Sequence, residues 1–500
     1  RRSSMASCIR HVVLLAALFL VSTSPRAEAL STRCMHGRIA TRVAPAAARS
    51  RMRAHTVLAS PDAAVTPMPT PRATGVGEEE LFSVAPMMDY TDRHFRHMMR
   101  LISRRAVLYT EMVVAQAVHH NPHDHARWYS CTDGADFGAP RDVLQLGGAD
   151  PAMLASAAGS ALAFPFGAIN LNCGCPSERV AGSGAFGASL MREPELVASL
   201  CTSMLEATRG ELPVTVKCRI GVDDNDSYEQ LHRFVELVSA AGVDHFIVHA
   251  RKAILNLNLT PHENRNIPPL NYSRVRALAD DFAPSRVRFT LNGGVLSLPE
   301  TLHELAAAPK LAGIMVGRDV INRPFYWAHA DRLLYHAAGE AASHHVAPTR
   351  EHVLVSYAEY ARRELESGRG RGSALLKPIH NLFHGYPGAR AFRRKLAQTQ
   401  ANEGADAAVL AMVEAAVATI PEDVLKECAH AGARDSPEGE MARMANTAHC
   451  SGDGEGLAHA PPRGAARARS STSSGRTQAS QRGETVRTSL SRRQQVTSSS

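Results

Sequence analysis

The chain has 500 residues, 44% of them hydrophobic, enough to bury a large core plus a smaller one. Its formal net charge of +8 is a mild basic bias, compatible with a polyanionic partner but not evidence for one. The nine cysteines include no CxxC pair, which argues against a zinc ribbon or a disulfide framework and for a reducing compartment.

The numbering begins upstream of Met5. After Arg10-His11 comes a short apolar run, Val12–Val21, followed by small residues around Ala27-Glu28-Ala29. That is the layout of a secretory signal, and the run is too short to span a membrane. From Ala29 to Pro61 there is no acidic residue, and arginine recurs at Arg33, Arg38, Arg42, Arg49, Arg51 and Arg53. A signal followed by transit-peptide composition resembles the bipartite leaders of algae with secondary plastids, with a single mitochondrial leader as the alternative. Residues 1–80 are therefore read as leader and linker, and the mature protein as free of the membrane.

From Leu81 to about residue 333, short β-type runs alternate with helical stretches, a rhythm that implies a parallel sheet. Eight strands are expected: Phe82–Pro86, Val107–Glu111, Val143–Gln145, Ala168–Asn172, Val214–Lys217, His245–His249, Arg288–Asn292 and Gly313–Gly317. Helices are expected between them at Asp92–Leu101, Pro151–Ala163, Glu195–Thr208, Ser227–Ala241, Tyr272–Asp281 and Leu298–Ala307, with another after Arg318. Eight strands over this length suit an α/β fold of the (β/α)8 TIM barrel type. An open doubly wound sheet is the alternative, but no GxGxxG follows the first strand.

Each expected strand is largely apolar and ends in something chemically useful. The ends read Pro86-Met87-Met88, Glu111, Gln145, Asn172, Lys217, His249, Asn292-Gly293-Gly294 and Gly317-Arg318. In a barrel these ends converge on the face that carries the active site. A single polar strand end is ordinary core chemistry; eight together are not. Lys217 and Arg318 are cations for a phosphate or an electron-rich ring, and the glycines permit close backbone approach near the last two strands. Gln145 can both donate and accept, and Met87 and Met88 offer a soft apolar wall. Together they suit a phosphorylated planar cofactor, and FMN fits best. Past Asn172, Cys175 is presented on a stiff turn by Pro176. No metal site is expected.

These motifs resemble the tRNA-dihydrouridine synthases, in particular the bacterial A-type branch. The resemblance rests on Val84 to Arg93, Leu108 to Met112, Leu144 to Gly148, Asn170 to Ser177, Val216 to Gly221, His249 to Lys252, Glu263 to Leu270, Asn292 to Gly294 and Val316 to Arg318. They occur in order between about Leu81 and Leu396. The resemblance implies reduction of the 5,6-double bond of a D-loop uridine in tRNA, at positions 20 and 20a, by NADPH-reduced FMN. It implies FMN contacts at Pro86, Met87, Met88, Gln145, Lys217, His249, Asn292, Gly293, Gly294, Gly317 and Arg318. Asn172 and Arg265 would hold the base, and Cys175 would be the proton donor. Chemistry supports that last role: a hydride at C6 leaves enolate-like charge over C5 and the C4 carbonyl. A neutral thiol with an ordinary pKa of about 8.5 can supply the proton to C5. Cys173 is the competing choice.

The base must be extruded to be read. Arg251 and Lys252, with Arg219 nearby, would then face the RNA backbone, or be solvated loop charge. Two departures stand out. The loop Ala253–Pro261 looks one residue longer than the A-type pattern and lacks its glycine, and Ala181 to Gly184 differs from the family's polar pair. Beyond the barrel, residues 334–425 are expected to form a helical tRNA-binding domain, with Arg393, Arg394 and Lys395 as backbone contacts. Residues 430–500 are read as a disordered tail. The chain is expected to act as a monomer. Competing readings are a flavin barrel acting on a small molecule and a catalytically silent RNA-binding protein.

Overall fold

A computed structural model describes residues 80–129, 141–177, 186–257, 259–335 and 347–428, with 436, 437 and 440. The expected leader, the departure at 181–184 and nearly all of the expected tail lie outside them.

Among the described residues the strands are β1 (Phe82–Val84), β2 (Val107–Tyr109), β3 (Val113–Val114), β4 (Asp142–Gly147) and β5 (Ala168–Cys173). They continue with β6 (Val214–Arg219), β7 (His245–His249), β8 (Arg288–Asn292) and β9 (Gly313–Val316). Every pairing is parallel. The order β2-β1-β9-β8-β7-β6-β5-β4, closed by a β2–β4 pairing, is a barrel of eight strand positions. The short β3 is the second position resumed after a break, since β2 and β3 pair with successive parts of β4. The break falls at Thr110, whose hydroxyl accepts the Gln145 N–H at 3.0 Å and replaces a ladder bond. The expected second strand, run to Glu111, therefore stops at Tyr109, and the first stops at Val84 rather than Pro86.

Helices form where the sequence marks their starts. Asp92 accepts from the Phe95 N–H at 2.8 Å and opens Arg93–Ile102. Ser227 and Gln230 form a reciprocal capping box ahead of Tyr228–Ala240. The core has two layers because strand side chains alternate. Along β5, Ile169, Leu171 and Cys173 pack outward with the helices. Ala168 joins Ala85, Val107, Tyr109, Val143, Ile247 and Met315 in a smaller cluster inside the barrel.

After β9 the chain is helical at Arg350–Glu366, Gly372–Leu376, Ala389–Glu403, Ala405–Leu410, Met412–Thr419 and Glu422–Lys426. Arg350–Glu366 docks on Arg93–Ile102: His97 stacks on Tyr360 at 3.8 Å, His94 Nδ1 lies 2.8 Å from the Tyr360 hydroxyl, and Arg93 pairs with Glu364. Lys377 donates to the Asp89 carbonyl in the loop after β1. Pro378 ends the short helix Gly372–Leu376 and opens a 3-10 turn, Pro378–Asn381. Among the described residues no helix is long and apolar enough to cross a membrane.

Candidate active site

The strand ends gather the expected residues at one mouth. Cys175 is half-buried at the end of β5, with a free thiol. Its turn is held from two sides. The Asn172 side-chain carbonyl accepts the N–H of both Gly174 and Cys175, each at 3.0 Å. Arg219, at the end of β6, donates to the Gly174 carbonyl at 2.9 Å and to the carbonyls of Lys252 and Asn264 at 3.0 Å. Arg219 is only 2% exposed, so it is an internal clasp joining three loops. The expectation that it faces the RNA backbone is thereby corrected: a guanidinium buried on three carbonyls has no reach to solvent. Cys173 is fully buried behind the strand, and burial with Cys201 and Cys218 nearby pushes its thiol well up. That geometry separates the two cysteines: one opens on the mouth and the other faces the helices.

Lys217 donates to Asn292 Oδ1 at 2.9 Å, and Asn292 Nδ2 donates to the Met315 carbonyl at 2.8 Å, so β6, β8 and β9 are tied across the mouth. Burial, and then Arg219, lower the Lys217 ammonium to about 8. Burial and the surrounding cations hold His249 well below its usual range, which makes it a neutral imidazole at pH 7. The His249 ring lies against Gly293, where a Cβ would come within 2.5 Å of it. Gly293 and Gly294 take φ of 111° and 78°, so the turn after β8 needs glycine twice over. Gln145 is buried and linked to Asn172 and Asn170 at 2.9 and 2.8 Å. Met87 is half-buried and Met88 exposed in the loop after β1, beyond Pro86. Gly317 precedes Arg318, which donates to Asn266 Oδ1 at 3.0 Å.

Arg265 stands exposed on a 3-10 turn, Glu263–Arg265, within electrostatic reach of Cys175 and Arg318. The loop before it is pinned by the fully buried Asn264, whose side-chain oxygen accepts the Ile254 N–H at 2.8 Å and whose side-chain amide donates to the Ile254 carbonyl at 2.9 Å. Sequence reasoning missed Asn264 and the Arg219 clasp; nothing in the local pattern marks a polar residue as buried. Arg251 donates to the Pro268 carbonyl. Lys252 pairs with Asp226 at 2.8 Å and so is already engaged.

Among the described residues, Lys217, Arg219, Arg251, Arg265 and Arg318 have no carboxylate partner, although several sit close enough to lower one another's affinity for protons. Such a cluster is unfavourable by itself and is relieved by an anion. With a glycine turn, a neutral imidazole and an amide edge beside it, the mouth fits a phosphorylated flavin.

The comparisons agree with this geometry. The family model described as "Dihydrouridine synthase (Dus)" matches residues 83–419. A "tRNA-dihydrouridine(20/20a) synthase" from Shewanella oneidensis is 40% identical over 68% of this chain and 95% of its own length. Proteins of the same name from Xanthomonas axonopodis pv. citri and Synechocystis are 44% and 41% identical, over 65% and 63% of this chain and 90% and 88% of theirs. The chain belongs to the dihydrouridine synthase family.

Proposed function

We propose that this protein is a flavin-dependent tRNA-dihydrouridine synthase that reduces the 5,6-double bond of a D-loop uridine, at positions 20 and 20a. The observation that carries the reading is Cys175 on a doubly held turn at the rim of an uncompensated cationic mouth. FMN would be held by Lys217, Arg318 and the Gly293-Gly294 turn at its phosphate side, with Gln145, His249, Asn292 and the Met87 wall toward its ring. When bound, the flavin supplies a hydride to C6, replenished from NADPH.

The chain's own residues do the rest. Cys175 Sγ–H gives its proton to C5 as charge develops there, and the half-exposed thiolate recovers a proton from water. His249, a neutral imidazole, lies toward the ring and would not take the proton first. Arg265 reads the extruded base from its exposed turn, and Asn172 has one N–H left for the same edge. The basic face of Ala389–Glu403, with exposed Arg390, Arg394 and Lys395, supports a role for residues 334–425 in gripping tRNA. Purified protein should be yellow and should form dihydrouridine in tRNA with NADPH; a colourless protein inactive after FMN addition refutes the reading. The leader's composition supports plastid delivery, which a fluorescent fusion of residues 1–80 tests directly.

A further inference from the structure

Behind Gln145 and Asn172 lies a row of side chains that the proposed chemistry does not use. Gln145 on β4, Asn170 on β5 and Thr215 on β6 are paired in register across three neighbouring strands. All are buried: Gln145 is 1% exposed, Asn170 0% and Thr215 2%. Asn172 stands two residues beyond Asn170 on the same face of β5.

Their hydrogen bonds form one directed chain. Thr215 Oγ1 donates to the Ile169 carbonyl at 3.2 Å and accepts from Asn170 Nδ2 at 2.9 Å. Asn170 Oδ1 accepts from Gln145 Nε2 at 2.8 Å, and Gln145 Oε1 accepts from Asn172 Nδ2 at 2.9 Å. Asn172 Oδ1 then accepts the two backbone N–H groups of the Cys175 turn. An amide can be turned end for end, so each of these three has two possible orientations. The chain's ends remove that freedom. Backbone N–H groups can only donate, so Asn172 must present its oxygen to the turn. The Ile169 carbonyl can only accept, which favours Thr215 presenting its oxygen upward. The Thr215 hydroxyl also lies against that of Tyr109, whose own proton goes to Glu80. Both ends demand the same polarity, and every link between agrees with it.

We propose that Thr215 and Asn170 are positioning residues that lock the amide of Gln145 toward the flavin and, through Asn172, hold the Cys175 turn. Neither touches the reactants. After its two relay bonds, Gln145 keeps one N–H and one lone pair, and the relay decides where each points. This inference rests on the flavin reading of the mouth.

The test is FMN titration into deflavinated full-length protein, with iodoacetamide alkylation of Cys175 followed by peptide mass spectrometry. Thr215→Val keeps shape and removes the acceptor. It should weaken FMN binding about three- to tenfold and speed Cys175 alkylation about twofold, while Thr215→Ser restores both. In a Gln145→Leu background, Thr215→Val should change FMN binding by less than about twofold, because its effect passes through that amide. If Thr215→Val fails to fold, Asn170→Ala takes its place in the same cycle. The proposal is overturned if Thr215→Val matches Thr215→Ser in both readouts, or keeps its full effect on FMN without Gln145. A wild type that binds FMN but leaves tRNA uridine unreduced sinks the proposed function while the titrations still decide the relay. A wild type that binds no FMN sinks the flavin reading, and Cys175 alkylation then decides whether the relay holds the turn.

Discussion

Both ends of the barrel are lined with polar side chains, and they use them in opposite ways. At the floor, where the strands begin, buried polar groups pack against one another. Glu80 lies 3.4 Å from His245 and accepts from Tyr109 at 3.2 Å, and His245 meets Thr290 at 2.8 Å. Arg96 and Arg100 both reach Asp142, at 3.0 and 3.3 Å. At the mouth, five cations gather with no carboxylate partner among the described residues, beside a half-buried thiol. The floor pairs its guanidinium groups with a carboxylate, whereas the mouth leaves its cations without one. Polarity at a strand end is therefore a weak sign of function, and charge without a counter-charge a strong one.

The contrast can be broken most sharply at Cys175. Cys175→Ala should lower dihydrouridine formation about a hundred- to ten-thousandfold while the protein keeps its flavin. Colour lost with the rate would make the residue structural, like those of the floor. Next in size is Lys217→Met, which should weaken FMN binding about tenfold or more by removing a cation from the cluster. In the wild type, FMN affinity should fall as pH rises through about 8, where Lys217 loses its proton. An affinity flat from pH 7 to 9 would show that the ammonium is not used.

The floor makes its own prediction, read in stability. Burial raises Glu80 from 4.5 to about 7. The folded state thus binds that proton more tightly than the unfolded one, so this contribution is full below 4.5 and lost as pH rises through about 7. Glu80→Gln should stabilise the protein at pH 8 by about 1–3 kcal/mol, with the gain vanishing toward pH 4.5, in thermal unfolding. His245, held well below its usual range by burial, acts in the other direction: its contribution is lost as pH falls below about 6.5. Glu80→Gln with an unchanged pH profile would remove the floor's carboxylate from the contrast.

The smallest effect separates two cations at the mouth itself. Arg265→Ala should raise the KM for tRNA about tenfold, whereas Lys252→Ala, already paired with Asp226, should change it less than about threefold. Equal losses would mean that the ion pair opens when tRNA binds.

Much of this was legible along the chain. The alternation of apolar runs with capped helices specified a parallel barrel, because burial on both faces and short crossovers leave few other closures. The residue types at the strand ends named the mouth, since a parallel barrel must bring those ends together. The broken second strand was not legible, because it depends on one hydroxyl, Thr110, taking a bond from the neighbouring strand. Nor was the difference between Arg219 and Arg265, one buried on three carbonyls and one exposed.

Sequence by itself determined which groups this protein has and in what order the strands deliver them: a thiol after β5, a lysine on β6, an imidazole on β7, glycines after β8. Tertiary structure alone decided which of those groups are already engaged. Lys252 is turned to Asp226 and Arg219 to three loops, while Asn172, Gln145, Asn170 and Thr215 share a single hydrogen-bond polarity across three strands. The reason is physical: a side chain's chemistry is carried by its type, but its remaining capacity to bond depends on neighbours tens of residues away, which only folding brings within 3 Å or so.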